Sequence, residues 1–370
     1  MKEILIRHNI VLKQQINFLF NAVEGKETPR EIEPYKQWLL DFLHQKNKQV
    51  EKNLRNLSRG ISSIFPEILS YSEEASQQIR LLTIFYIPPI HRSIQSDKIG
   101  LKLLMWLHKK HEQSRDIPFA ISDGAFGIYP TIPTLYYLPA TDQKGLLYLP
   151  LFFHEFGHLL FRLHKREMDD LVKEIQLGIE EYNQPVIVHN DEKSEEKFKS
   201  MEAIVNTWYK WVQEFFCDAV GLIIGGESYL YAFSGYCQMG GRDEFHLRKE
   251  DLNGRTHPVT LIRIRLLIRR ARKMGLNEAA DRIEREWLLL QKQYIQIPEY
   301  FGYYADEYEP IVEENLDYML EEANPHLFDA LENTPVHFLN EAWLKFLEHP
   351  VTFTEWEAKA VDVFLKMNDL

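Results

Sequence analysis

Residues 151–161 read LFFHEFGHLLF, an apolar run that carries His154, Glu155 and His158. The run predicts a buried helix, part of a longer helical stretch from about 147 to 177. A buried apolar helix is a costly place for three polar side chains that lack a partner. This one stretch therefore predicts both a helical core and a polar site at its centre.

The prediction extends outward in both directions. From 1 to about 115 apolar positions recur every three or four residues, as in Trp38, Leu39, Phe42, Leu43 and in Leu101, Leu104, Met105, Leu107, which is the helical period. Residues 117–140 (IPFAISDGAFGIYPTIPTLYYLPA) change to β-branched and aromatic residues with glycine and proline, and read as short strands and turns. A polar stretch at 189–199 precedes a helix from about 201 to 224, which Gly225-Gly226 ends. Further helices are expected near 257–274, 277–296 and 306–323, with two more to the end. The fold class is mainly α (α+β), with a small β element beside the motif. Three parts are expected: an N-terminal helical lobe over 1–115, a core over 116–275 and a C-terminal helical lobe over 276–370.

Composition excludes several classes. Hydrophobic residues make up 45% and charged residues 26% of the 370, too apolar for a disordered chain. The formal net charge of -12 leaves no basic surplus to neutralise nucleic-acid phosphates or to dock on an anionic membrane. A basic stripe at Arg263, Arg265, Arg269, Arg270, Arg272 and Lys273 reads as a solvated helix face. Two cysteines, Cys217 and Cys237, without CxxC spacing, give neither a disulfide framework nor a zinc knuckle. No run approaches the roughly 18 to 20 apolar residues that cross a bilayer, and no signal peptide is evident. A cytoplasmic protein is expected.

His154-Glu155-Phe156-Gly157-His158 is an HExxH pattern. Positions four apart lie one above the other on a helix, so both imidazoles reach one metal, and Glu155 projects beside them as a general base. Zn2+ is the metal inferred from the ligand types. Catalytic zinc needs a third protein ligand, for which two candidates compete. His164 fits an HExxHxxxxxH spacing similar to that of the metzincins, but nothing in 159–165 breaks the helix to swing it back. Glu214, in WVQEFFCDAVG, is preferred. Asp218 lies four residues on, on the same face, where it accepts the free ring N–H of a zinc histidine. Cys217 reads as a core thiol, and Gly157 either as a point of close helix contact beside the metal or as a merely tolerated glycine.

HExxH followed by this ExxxD pattern resembles the gluzincins. With Thr256-His257-Pro258 and Arg263 six residues after the histidine, the chain resembles the HtpX-like and CAAX-prenyl-protease family over about 120–275. The family's transmembrane helices are missing, and Val259 stands where a second proline is common. The resemblance implies a zincin-like core and a substrate-aligning edge strand within 131–138. It also implies that His257 lies near the metal, donating to an oxyanion or gating the open position, and that Arg263 supports that loop or the oxyanion. The sequence also allows His257-Pro258 simply to start a helix.

The expected function is a zinc metallopeptidase acting on a peptide or protein substrate, without nucleic acid or membrane. Two rivals stand beside it: a zinc-stabilised, non-catalytic scaffold whose helical lobes dock a protein partner, and a selective regulatory protease silent until activated. The segment 189–199 reads as a solvated loop, with a gate as the alternative.

Overall fold

The computed structural model describes residues 1–92, 97–142, 145–183, 192–240, 245, 248–293, 300–328 and 334–367. The chain forms two compact units, Met1–Lys144 and Gly145–Met367. Helices dominate both, with one small sheet, as the hydrophobic periods predict. The expected boundaries near 115 and 275 each fall inside a unit, and the sheet belongs to the first unit while the HExxH helix belongs to the second.

In the first unit, helices α1 (Lys2–Glu24), α2 (Glu33–Ser58) and α3 (Phe65–Leu81) pack together, followed by α4 (Pro88–Arg92) and α5 (Lys98–Lys110). Helix α1 buries Leu5, Asn9, Leu12, Ile16, Leu19 and Val23, a stripe at spacings of three and four. The one polar member is satisfied, since the Asn9 amide donates to Leu5 O at 2.9 Å and Ser72 Oγ at 3.0 Å. Strands β1 (Phe119–Asp123), β2 (Gly127–Tyr129) and β3 (Thr134–Leu138) form a sheet in the order β1-β3-β2. Strand β3 runs parallel to β1 and antiparallel to β2. It is therefore central, not the edge strand expected within 131–138: its backbone groups are taken on both sides. Tyr136 is fully buried and Tyr129 half exposed, so the tyrosines of this segment do not form one face.

The second unit is built around α6 (Leu151–Leu163), which buries ten of its thirteen residues. Each of its buried phenylalanines contributes about 1.5–3 kcal/mol relative to exposure. Its main partner is α8 (Glu192–Gly225). Around this pair lie α7 (Lys165–Asn183), α9 (Glu227–Gln238), α11 (Thr260–Lys273), α12 (Asn277–Gln293), α13 (Glu309–Ala323) and α14 (Pro335–Glu348). The short α10 (Lys249–Leu252) and the terminal α15 (Phe353–Lys366) complete the order. No helix among the described residues is long and apolar enough to cross a membrane.

Three local expectations need correction. The stretch 147–177 is not one helix, because the chain turns at His164 (φ -105°, ψ 28°) and continues as α7. No glycine or proline marks this turn; α7 leaves α6 to pack on α8 and α13. Helix α8 begins at Glu192 rather than near 201, over Glu- and Lys-rich sequence with good helix propensity, while 189–191 lie outside the described residues. The basic stripe of α11 is a solvated face only in part, at Arg269 and Lys273, which are exposed. Arg263 and Arg270 are buried, and the acids that neutralise the stripe come from α8, α12 and α13: Asp218, Asp281, Glu284, Glu309 and Glu313.

Candidate metal centre

Glycine sets the distance between α6 and α8. A Cβ at Gly157 would lie 2.7 Å from the Cα of Cys217, so the two backbones meet where only glycine fits. This contact brings the middle of α6 against the ExxxD turn of α8. Gly221 acts similarly one turn further along α8, where a Cβ would strike the ring of Tyr229 at 2.5 Å.

The two histidines of α6 and the two acids of α8 then converge. His154 Nε2 lies 3.5 Å from Glu214 Oε2, and His158 Nε2 lies 3.6 Å from Glu214 Oε1. Behind them, His154 Nδ1 stands 2.9 Å from Asp218 Oδ1. Because the carboxylate only accepts, Nδ1 carries a proton in either charge state of the ring, which leaves Nε2, facing Glu214, as the nitrogen free to exchange its proton for a metal. Arg263 grips Asp218 through Nε and Nη2, both at 2.7 Å, and Tyr229 donates to Asp218 Oδ1 at 2.8 Å. The guanidinium also lies over Phe233, 4.6 Å from the ring centroid. Sequence reasoning singled out neither Tyr229 nor Phe233; both sit on α9, which shows no motif of its own.

His257 joins the same cluster, with Nε2 3.6 Å from Glu214 Oε2, while its side chain remains 58% exposed. It lies on the loop before α11, outside any helix. Arg263 is buried on α11 and holds Asp218, with Glu214 Oε2 3.3 Å away. His164 is turned elsewhere, toward Glu322 at 3.5 Å, and is half-buried rather than a surface residue.

Charge explains the titration of the group. Burial would push the Glu214 carboxyl up, but His154 and Arg263 hold it well below the usual range. Asp218 is likewise raised by burial and lowered further by Arg263 and His154, with a net downward shift. Burial pushes His154 down, and Asp218 and Glu214 more than reverse this, bringing it to about 10. His158 is pushed down to about 4 by burial and by His154. Glu155, 9% exposed, is pushed up to about 7, mainly by burial. Two ionised carboxylates thus face one arginine. The remaining negative charge calls for a proton on His154 or a cation among the nitrogens.

The residues fit a cation. Glu214 Oε2 is buried and accepts no hydrogen bond, although two imidazole nitrogens stand 3.5 and 3.6 Å from it. Donors sharing one tetrahedral zinc, with bonds of about 2.0–2.1 Å, stand about 3.3 Å apart. The observed separations match that shared-ion spacing better than direct hydrogen bonding. A second grouping overlaps the first: His154, His158 and Cys217 each offer a ligand atom within 4.8 Å of the other two. No family model matches the chain, and no match was found among curated proteins or solved structures.

Proposed function

We propose that the protein is a zinc-dependent peptidase of the gluzincin kind, similar to the HtpX-like and CAAX-prenyl-protease family. The observation that carries this reading is the placement of His154 and His158 Nε2 at 3.5 and 3.6 Å from the two oxygens of Glu214. His154, His158 and Glu214 would hold the metal. Bound there, it supplies Lewis-acid polarisation of an amide carbonyl.

The chain's own residues supply the rest. Glu155 adjoins His154 on α6, and burial raises its carboxyl to about 7, which suits a base that takes a proton from the attacking water near neutral pH. The same carboxyl then delivers that proton to the leaving amine. His257, exposed on its loop and within 3.6 Å of Glu214, donates a hydrogen bond to the oxygen that gains negative charge. Asp218 fixes the tautomer and orientation of His154, and Arg263 and Tyr229 fix Asp218.

Glu155→Gln tests the reading. The variant should retain stoichiometric zinc and lose cleavage of a peptide library; full turnover in this variant would refute it. The scaffold reading is favoured by one observation, the approach of His257 to the carboxylate that His154 and His158 share. Four protein donors would close the ion as in a structural site. In that case zinc removal would unfold the chain, and no peptide would be cleaved by the wild type.

A further inference from the structure

Cys217 is fully buried and lies on α8 one turn beyond Glu214. It faces Gly157, which stands between His154 and His158 on α6. A Cβ at Gly157 would come within 3.2 Å of the Cys217 sulfur, so the missing side chain leaves the thiol directly against this segment. The sulfur and one nitrogen from each histidine all lie within 4.8 Å of one another. A second observation points to a ligand at the same place: Glu214, 2% exposed, keeps its Oε2 without a hydrogen bond, beside His154 Nε2 at 3.5 Å, His257 Nε2 at 3.6 Å and Arg263 Nη2 at 3.3 Å.

We propose that Cys217 is a sulfur ligand of the ion held by His154, His158 and Glu214, which makes the centre selective for soft or borderline divalent metals. The inference rests on the metal-site reading of the proposed function, and the fourth protein donor it adds favours the closed, structural form of that site over the catalytic one. With Zn–S of about 2.3 Å and Zn–N of about 2.0–2.1 Å, sulfur and nitrogen on one ion stand about 3.5 Å apart. Closing the observed spacing takes on the order of 1 Å, within the reach of a rotation at Cys217. On coordination the S–H proton passes to solvent and a sulfur–metal bond forms, with no change of oxidation state. Thiolate favours zinc, cobalt or cadmium over magnesium, calcium or manganese.

Titration of the full-length, reduced protein with Co2+ tests this. The expected result is one bound cobalt with a near-ultraviolet sulfur-to-cobalt charge-transfer band. Cys217→Ser should lose the band, and Cys237→Ser, which removes the other thiol, should keep it. If Cys217→Ser does not fold, the wild-type and Cys237→Ser spectra still decide. Cobalt bound in a His154-dependent manner without the band overturns the inference and leaves the metal site standing, as does a band lost in Cys237→Ser. No cobalt retained by the wild type overturns both.

Discussion

His154 Nδ1 and Asp218 Oδ1 stand 2.9 Å apart, and the same aspartate is gripped by both Nε and Nη2 of Arg263. Asp218 therefore transmits the position of α11 to a ring on α6. Asp218→Asn keeps the shape but offers an amide that can present N–H to the histidine, which favours the wrong tautomer. Zinc affinity should fall about 10- to 100-fold. Competition with a fluorescent chelator measures this, and an unchanged affinity would remove Asp218 from the site.

Metal and proton compete for the same lone pair on His154. Its pKa near 10 is set by burial, which lowers it, against Asp218 and Glu214, which raise it further. Below that value the ring is protonated and must lose the proton to bind an ion, so apparent affinity rises with pH. One displaced proton gives about a tenfold gain per pH unit. His158, lowered to about 4, and Glu214, held ionised, add none near neutrality. Calorimetry in buffers of different ionisation enthalpy should count one proton from His154, and a second if the Cys217 thiol binds.

Much of this site is legible in the sequence, because it depends on spacings that a helix converts into faces. His154 and His158, or Glu214 and Asp218, are four apart, and that alone places each pair together. Cys217 was not legible as a neighbour of the histidines, because its nearness depends on how closely α6 and α8 approach. The turn at His164 was hidden for a related reason: tertiary packing redirects a sequence that has no local breaker. The strand order β1-β3-β2 likewise reflects pairing between segments, which a period of two cannot specify.

Gly157 reverses an ordinary expectation. In an open helix Gly→Ala stabilises by about 1 kcal/mol. Here the added Cβ would lie 2.7 Å from the Cys217 Cα, and backbone cannot swing aside. Gly157→Ala should instead destabilise by about 1–3 kcal/mol, and should weaken metal binding by parting the helices. Urea unfolding gives the sign directly; a stabilised variant would mean that α6 and α8 do not meet so closely.

His257 separates the catalytic and scaffold readings. Its side chain is 58% exposed, so His257→Ala should fold normally. As an oxyanion donor it should cost about 10²–10³ in kcat, with zinc affinity nearly unchanged. As a fourth structural ligand it should weaken zinc binding instead. Turnover and zinc affinity measured on the same preparation distinguish the two outcomes.

The first unit contains its own pH-dependent element. His108 is buried, with Nε2 2.9 Å from the Tyr136 hydroxyl and Nδ1 3.1 Å from the Ser114 carbonyl. A neutral ring satisfies both, donating from Nδ1 and accepting at Nε2. Burial pushes its pKa down to about 4, against an ordinary value of 6.5. Between those values the unfolded chain binds a proton that the folded chain refuses, so stability rises with pH in that window. The contribution is complete above about 6.5, is lost as pH falls toward 4, and amounts to about 3 kcal/mol. Glutamine at this position cannot titrate. Urea unfolding of wild type and His108→Gln from pH 7 to pH 4 should show the wild type losing more stability by that amount; parallel curves would show that His108 carries its proton when folded.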